Sequence, residues 1–446
     1  MQRDARVAWI VVLIGIAGSA VLVSACDDEP ADKLAFGEPC AEDTECESEM
    51  CAAVGRCTQE CDASTPCPDS RTCGEDGACV LPNPPVTGTL KVGYLYVGPV
   101  GDHGWTKAHD DGRQYIEDHM DDVELHYSPS IAPDDASAEI ESFIEQGDNV
   151  IIGTSFDFLT SLQSAANNNP DVNFLTCSGF QTGPNMGSYF GRMEQVMYLL
   201  GIVAGSVTET DRIGIVGPVV IPETVRLNNA FTRGVRASNP EAVVIVRWVG
   251  AWFNPDEETA ASQELIDGGV DIVYGHTDTT IPMEYVRDNQ PADRTVYTFG
   301  YDNPDSCHFA PDICISSGYW NWGPVVTRIL TAMREGEWVP SEIIYDSIEL
   351  EAEESMIYYS PINEDIVEAG VIQQVEGLVE QMAEDDDEGR YLPFLGPVTD
   401  AEGDERYAEG DHPTDDDLLN MCWYVEGMSD TDELRNEAPA ECTGDR

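Results

Sequence analysis

Basic residues are scarce in this 446-residue sequence: Lys and Arg together number 22, against 84 Asp and Glu, and the formal net charge is -62. A surface of this charge repels polyanions, so nucleic acids and anionic lipids are poor partners. Lysine occurs only at Lys33, Lys91 and Lys107, and none of the three lies in a G-x-x-x-x-G-K-S/T loop, which excludes ATP hydrolysis by that route. The densest acidic runs, 384–388 and 415–417, are interpreted as solvated surface and not as a metal site.

Motifs of covalent and metal-dependent catalysis are missing as well. The sequence has no H-E-x-x-H motif and no nucleophile elbow, and no Cys/His pair supports catalysis. The glycine-rich loop Gly98–Gly104, which follows the first predicted strand, is not a G-x-G-x-x-G dinucleotide fingerprint. We therefore predict neither a metal ion nor a cofactor.

The first 26 residues indicate export. An apolar run over residues 7–23 leads into Val23-Ser24-Ala25-Cys26, which is similar to a bacterial lipoprotein signal in which the cysteine is acylated and becomes the mature N-terminus. We predict a signal peptide over residues 1–26, lipidation of Cys26, and a place in the cell envelope. Asp27 favours the periplasmic face of the inner membrane. A plain membrane anchor is the alternative, although the run is short for a span of about 20 residues.

Eight cysteines fall at nearly even spacing between Cys40 and Cys79. A segment of about 40 residues cannot bury a sufficient core alone, so the pattern predicts a disulfide-rich module over residues 27–80. A zinc site is the alternative, but the segment has no C-x-x-C pair and no histidine. The proline-rich residues 81–88 are predicted to link this module to a main domain over 89–430, and residues 431–446 form an acidic tail.

The remaining cysteines allow two further crosslinks. Cys307 and Cys314 could close a short loop, and Cys422 and Cys442 could fix the tail. Cys177 would then be left over, and we interpret it as a buried apolar thiol and not as a nucleophile.

Short apolar runs alternate with helical patterns from residue 89 onward, which is typical of βα units around mostly parallel sheets. The predicted strands are Leu90–Val97, Val123–Tyr127, Asn149–Gly153, Val172–Cys177, Arg212–Val216, Ala242–Val249, Asp271–Tyr274 and Thr295–Phe299. The predicted helices are Trp105–His119, Ala136–Glu145, Met193–Val207, Pro222–Ala237, Glu257–Asp267 and Trp322–Arg334. This number of units fits an α/β fold of two doubly wound lobes, whose ligands bind beyond the carboxyl ends of the strands.

Aromatic side chains follow three of these strands. Trp105 ends the loop after the first strand, Phe156 follows the third, and Trp252 follows the strand that ends at Val249. Any one of them could belong to the core. Three at strand ends predict rings that stack on a flat ligand between the lobes.

Carboxylates occupy the same topological position. Asp102 lies in the loop before Trp105, Asp278 follows the strand at 271–274, and Asp302 follows the strand at 295–299. Each could accept hydrogen bonds from ring N–H, amine or hydroxyl groups, although a single aspartate is more often a helix cap. Together with the rings, they predict a slot that reads the edge of a heterocycle.

Seven segments carry a family resemblance, in order and with matching gaps. They are KVGYLYVGPVGDHGWTKAHDDGR (91–113), GSYFGRMEQVMYLLGIVAG (187–205), IPETVRLNNAFTRGVRA (221–237), WFNP (252–255), WNWGP (320–324), PFLGP (393–397) and MCWYVEG (421–427). These segments resemble the basic membrane protein (BMP) family of ABC-importer receptors. The resemblance implies a type I periplasmic-binding fold, with two lobes joined at a hinge by three crossing strands, and a purine nucleoside or purine base as ligand.

The resemblance also implies roles for single residues. The family's stacking and closing aromatics match Trp105, Phe156 and Trp252, and its first-loop acid matches Asp102. The acid of its G-x-D motif, which binds ribose in nucleoside receptors, matches Asp302.

One departure bears on the ligand. Where nucleoside receptors carry a lysine, this sequence has Trp320, which we count among the ligand-binding residues. The GDxGW, HTD and NWG motifs resemble receptors for free adenine, so a purine base is favoured over a nucleoside. Arg192 and Glu194 match a family pair at a helix start, which we interpret as structural.

The sequence therefore predicts a monomeric, lipid-anchored receptor that closes on a purine and delivers it to an ABC permease, without enzymatic activity. Two alternatives stay open. One is a periplasmic nucleoside-processing enzyme that uses the clustered aspartates as acids and bases. The other is a cell-surface sensory or interaction lipoprotein, in which the cysteine-rich module contacts a partner.

Overall fold

A computed structural model describes residues 72–73, 79–80, 85–179, 181–341, 343–384 and 386–430 of the chain. The predicted signal peptide with Cys26, nearly all of the cysteine-rich module, and the acidic tail lie outside these residues, so their assignments stay predictions. Thr72–Cys73 and Cys79–Val80 form a short two-stranded sheet. The larger of two compact units, Pro68–Thr72 with Leu81–Arg446, contains the main domain.

The first lobe alternates strands and helices. Its elements are β1 (Leu90–Leu95), α1 (Trp105–His119), β2 (Val123–Ser128), α2 (Ala136–Gln146), β3 (Val150–Gly153), α3 (Leu159–Asn168), β4 (Asn173–Cys177) and β5 (Met186–Gly191). With β11 (Ile343–Asp346), the strands form a parallel sheet in the order β11-β5-β4-β3-β1-β2. All four residues of β3 are buried and three are Val or Ile, as expected for a parallel strand covered on both faces.

The second lobe repeats this construction. Its elements are α4 (Met193–Val207), β6 (Arg212–Gly217), α5 (Pro222–Ser238), β7 (Val243–Trp248), α6 (Pro255–Asp267), β8 (Ile272–Gly275), α7 (Ile281–Asp288), β9 (Tyr297–Gly300), β10 (Cys314–Trp320) and β12 (Ile357–Tyr359). With β15 (Met428–Asp430), the sheet order is β12-β10-β9-β8-β6-β7-β15, and all neighbours are parallel except β10 and β12.

Further elements connect and cover the lobes. They are α8 (Trp322–Glu335), which packs on α1, together with α9 (Ala369–Met382), α10 (Asp387–Arg390), β13 (Val398–Thr399), β14 (Glu405–Tyr407) and α11 (Asp415–Leu419). The pairing of β15 with β7 brings the end of the described chain into the second sheet.

The chain passes between the two sheets three times, after β5, after β10 and after β11. Neighbouring crossings are hydrogen-bonded: the backbone N–H of Arg192 donates to the oxygen of Asp346, and that of Asn321 donates to the oxygen of Met356, both at 2.8 Å. Three connections of this kind form a hinge between two lobes, as the family resemblance implied.

All eight predicted strands and all six predicted helices are present, and their ends differ by two residues at most. The prediction missed α3, α7, α9 and several strands. Among these strands, β5 (MGSYFG) and β10 (CISSGYW) are rich in glycine and serine, which weakens their intrinsic strand preference. Both are almost wholly buried, so packing within the lobes decides their conformation.

The cysteines of the main domain follow the predicted pattern. Cys307 and Cys314 form a disulfide with Cα atoms 5.4 Å apart. Cys177 is buried and free. Cys422 is also disulfide-bonded, and its predicted partner Cys442 lies outside the described residues.

Candidate ligand-binding cleft

A cavity lies between the lobes, at the carboxyl ends of strands from both sheets. The residues that line it are Val97, Trp105, Ser155, Phe156, Ser178, Glu223, Trp252 and Asp278. Trp105, Phe156, Trp252 and Asp278 were singled out from the sequence. We call this space the ring cavity because three of its lining residues are aromatic. The strand-end rule for doubly wound sheets therefore brings four predicted residues together.

Asp102 holds the start of α1, the helix that places Trp105 at the cavity. The Asp102 carboxylate accepts hydrogen bonds from the backbone N–H groups of Gly104 at 3.0 Å, Thr106 at 2.9 Å and Lys107 at 3.0 Å. Burial raises the pKa of Asp102, and these hydrogen bonds act in the opposite direction. Asp102 is thus a helix cap beside the cavity, and its contact with a ligand stays a prediction.

Trp105 belongs to a packed group of rings. Its indole N–H donates to the backbone oxygen of Thr154 at 2.6 Å. The ring makes edge contacts with His109, Trp320 and Trp322, with centroids 4.9, 5.8 and 5.5 Å away. These contacts fix the plane of the indole, so its orientation is set before any ligand binds.

Trp320 and Asp302 lie beside this group and are not lining residues of the ring cavity. The indoles of Trp320 and Trp322 stack with centroids 4.7 Å apart, and the indole N–H of Trp320 donates to Oδ1 of Asp302 at 3.2 Å. Oδ2 of Asp302 is buried without a hydrogen-bond partner among the described residues. An unpaired buried carboxylate oxygen costs stability unless a water or ligand supplies a donor. Direct ligand contact by either residue stays a prediction.

Burial disfavours the ionised form of three acids of the second lobe near the cleft. Burial, with repulsion from neighbouring acids, raises the pKa values of Asp278 and Asp302 well above the usual range. Burial raises the pKa of Glu223 to about 7, against the attraction of Arg226. The described residues that line the ring cavity include no Lys or Arg. A ligand that donates hydrogen bonds to these acids would stabilise their ionised form, whereas a bound anion would raise their pKa values further.

The two lobes touch across the cleft. A Cβ added at Gly104, at the start of α1, would lie 2.2 Å from the backbone oxygen of Asp278 in the second lobe. Only glycine permits this approach. The adjacent His103 packs on Phe309, with ring centroids 5.0 Å apart. This is a closed arrangement, in which the walls of both lobes face the same space.

Glu223 and Ser178 line the ring cavity but were not singled out from the sequence. Ser178 directly follows β4, and Glu223 lies in the first turn of α5, which follows β6. Both positions obey the strand-end rule, so the signal was present. Neither residue is aromatic or part of an aspartate motif, so the features that mark the other site residues in the sequence do not mark these two.

The family pair at the start of α4 binds structural partners. Arg192 pairs with Asp415 at 2.6 Å, and Glu194 pairs with Arg226 at 3.3 Å and accepts the hydroxyl of Tyr345 at 2.7 Å. These contacts lie next to the crossings. In the part of the chain that the structure describes, no group of three or more His, Cys, Asp or Glu side chains could hold a metal ion.

Residues 89–375 match a family model, Bmp, described as ABC transporter substrate-binding protein PnrA-like. The chain belongs to the Bmp family. Its members are solute-binding proteins and not enzymes, which confirms both the resemblance and the prediction that this chain is not an enzyme. ABC substrate-binding proteins act outside the cytoplasm and deliver small ligands to a permease.

Within the described ranges, no helix has both the length and the apolar character that a bilayer span needs.

Several curated proteins are similar to this Bmp-family chain. A purine-binding protein of Brucella abortus is 32% identical over 343 residues, which cover 76% of this chain and 93% of that protein. A Haloferax volcanii protein named as a candidate ABC transporter glucose-binding protein is 35% identical over 250 residues, covering 56% and 62%. The nucleoside-binding protein BmpA of Lactococcus lactis is 24% identical over 149 residues, covering 33% and 42%. These names differ in solute, so family membership alone does not fix the ligand.

Two solved structures share the fold of the Bmp-family chain. A solute-binding protein of an ABC transporter system from Conexibacter woesei aligns with a TM-score of 0.53 and 20% identity, covering 66% of this chain and 96% of that one. A transcriptional activator of the comK gene from Bacillus halodurans aligns with a TM-score of 0.55 and 21% identity, covering 66% and 98%. Identities this low show the fold alone, and they confirm the predicted two-lobed periplasmic-binding architecture.

Proposed function

We propose that this protein is the lipid-anchored receptor of an ABC importer for a purine base, with an adenine-like solute favoured. The observation that carries the proposal is the ring cavity, which Trp105, Phe156 and Trp252 line together with Asp278. Stacking of a base on an aromatic side chain contributes about 1 to 3 kcal/mol. A carboxylate accepts hydrogen bonds from ring N–H and exocyclic amine groups, which a purine base presents at its edge.

The position of Trp320 favours a base over a nucleoside. Nucleoside receptors of the family carry a lysine there, whereas the Trp320 indole stacks on Trp322 and donates to Asp302. The aromatic ring offers no ammonium group to a ribose hydroxyl. A free base does not need that contact.

Binding would work by closure of the hinge. The first lobe offers rings, the second lobe offers acids, and a ligand between them makes both sets of contacts only in the closed form. The closed form is selected by those extra contacts and then docks on the permease. No covalent chemistry is required.

The ligand is tested with the purified protein. Mass spectrometry of the solute released on denaturation should show a purine, and titration calorimetry should show binding of adenine but not of glucose. Trp252→Ala should weaken adenine binding about tenfold. The matched control, Phe253→Ala, removes a neighbouring ring that is 56% exposed and should leave the affinity unchanged. Binding of glucose without adenine would contradict the purine proposal and favour a sugar.

The lipid anchor is tested on the full chain in a bacterial host. The wild-type chain should incorporate a labelled fatty acid and sediment with inner membranes, because the Cys26 thiol is the acylation site of a lipoprotein signal. Cys26→Ala should abolish the label. Equal labelling of both forms would contradict the assignment of Cys26.

A further inference from the structure

A second cavity adjoins the ring cavity. Phe156, Ser178 and Glu223 line both spaces, so the two lie side by side and share a wall. The second space, which we call the side cavity, has about twice the volume of the ring cavity, and both are partly open to solvent. A solute that filled only the ring cavity would leave the larger part of the cleft empty.

The wall of the side cavity is mainly apolar. Beyond the three shared residues, its apolar lining is Phe190, Ile221, Pro222, Ile343 and Leu419. These residues come from both lobes and from α11, so the space closes when the lobes close. Apolar walls favour hydrocarbon over hydroxyl groups, because a hydroxyl buried without a partner loses its hydrogen bonds to water.

Arg226 is the basic member of this wall, and its guanidinium is already hydrogen-bonded to other parts of the protein. Its guanidinium donates to the carboxylate of Glu194 at 3.3 Å and to the backbone oxygen of Leu418 at 3.0 Å. Its pairing with Glu194 largely neutralises its charge. Arg226 therefore does not turn the side cavity into an anion site.

One part of the wall lies beyond the region that defines the family. Leu419 ends α11, whereas the family model matches residues 89–375. The ion pair of Arg192 with Asp415 and the bond from Arg226 to Leu418 hold α11 at the cleft. The family assignment therefore does not say what the side cavity binds.

We propose that the side cavity is a subsite for an apolar substituent on the ring that occupies the ring cavity. The solute is then a heterocycle with an alkyl or aryl side group, and not a bare base or a nucleoside. Glu223 and Ser178 stand at the junction, where they can accept a hydrogen bond from an N–H that links ring and substituent. This inference rests on the proposed purine function and names its substrate class more closely.

Calorimetric titration of the purified receptor with three probes, adenine, N6-benzyladenine and adenosine, tests the subsite. We expect N6-benzyladenine to bind at least tenfold more tightly than adenine, and adenosine to bind no more tightly than adenine. Leu419→Ala should weaken N6-benzyladenine binding at least fivefold while adenine binding stays within twofold. Leu350→Ala, which truncates a leucine that is 57% exposed and lies outside both cavities, is the matched control and should change neither affinity.

Three outcomes would overturn the subsite and leave the purine function intact. They are equal affinities for adenine and N6-benzyladenine, tighter binding of adenosine than of both, or equal losses for both bases in Leu419→Ala. If no purine binds, the purine function itself fails, and the mass of the solute released from the protein decides the subsite. A released solute with an apolar side group supports it, whereas an unsubstituted ring or a sugar contradicts it.

Discussion

The two walls of the cleft differ in chemistry. The first lobe presents the rings of Trp105 and Phe156, whereas the second lobe presents the acids Glu223 and Asp278 and a single ring, Trp252. The acid that the first lobe places nearby, Asp102, already accepts three backbone N–H groups at the start of α1. In the proposed binding mode, stacking and edge recognition are divided between the lobes, so the ligand obtains both only when the cleft closes.

The walls also differ in how many of their polar groups have a hydrogen-bond partner without a ligand. Trp105 is 8% exposed, and its N–H is bonded to Thr154. In the second lobe, Oδ2 of Asp302 lacks a partner among the described residues, and burial, with repulsion from neighbouring acids that include Asp102, raises the pKa values of Asp278 and Asp302. The first wall is therefore preorganised, and the second gains the most from a bound donor.

Removing the indole of Trp105 from the first wall should have the largest effect on ligand affinity. Trp105→Ala deletes the stacking face and opens a void among packed rings, so adenine should bind about 100-fold more weakly, a loss of about 2.7 kcal/mol. Calorimetry measures the affinity, and far-UV circular dichroism checks the fold. Trp105→Phe keeps an aromatic face and should recover most of the loss. An Ala variant within threefold of wild type would show that Trp105 does not stack on the ligand.

The second largest effect is expected from a pair of matched substitutions, one at an acid of each lobe. Asp302→Asn keeps Oδ1 for the Trp320 indole and tolerates the left-handed backbone at φ 66°, but it replaces the unpartnered oxygen with a donor. Adenine should bind about tenfold more weakly, a loss of about 1.4 kcal/mol. Asp102→Asn retains a capping side chain and should stay within threefold of wild type. Similar losses in both variants would show that Asp302 contributes no more to ligand binding than Asp102, which caps its own helix.

The sequence locates the ring cavity because strand ends can be recognised from local pattern. Trp105, Phe156 and Trp252 each follow an apolar strand, and parallel strands in two doubly wound sheets bring their carboxyl ends to one cleft. The position of a residue in the chain does not say where its side chain is directed. That is why the pattern could not show that Asp102 binds its own helix.

Other parts of the site depend on contacts between distant segments. The Trp320 N–H donates to Asp302, eighteen positions away in the chain. Glu223 lies on α5 in the second lobe, whereas Phe156 lies in the first lobe, and both line the ring cavity. The side cavity needs Leu419, whose helix is held in place through Arg226. These pairings follow from tertiary packing, and no local period or spacing encodes them.

The smallest effect concerns Glu223, the acid that the two cavities share. Burial raises its pKa in the folded protein to about 7 from an ordinary value of 4.5. Between these values the folded state binds a proton that the unfolded state has released, so the free energy of unfolding falls as pH rises through this window. Because the Glu223 side chain is only partly buried, we expect a contribution of about 1 kcal/mol.

Replacing Glu223 with glutamine removes this titration. Relative to wild type, Glu223→Gln should therefore gain stability between pH 5 and pH 8, by about 1 kcal/mol, measured as the difference in Tm at each pH. Glu257→Gln is the matched control, because Glu257 also lies in the first turn of a helix of the second lobe but is exposed. Its Tm difference from wild type should not change with pH. A pH-independent difference for Glu223→Gln would show that the cleft does not desolvate this acid. The two walls of the cleft would then differ in their aromatic residues and not in the ionisation of their acids.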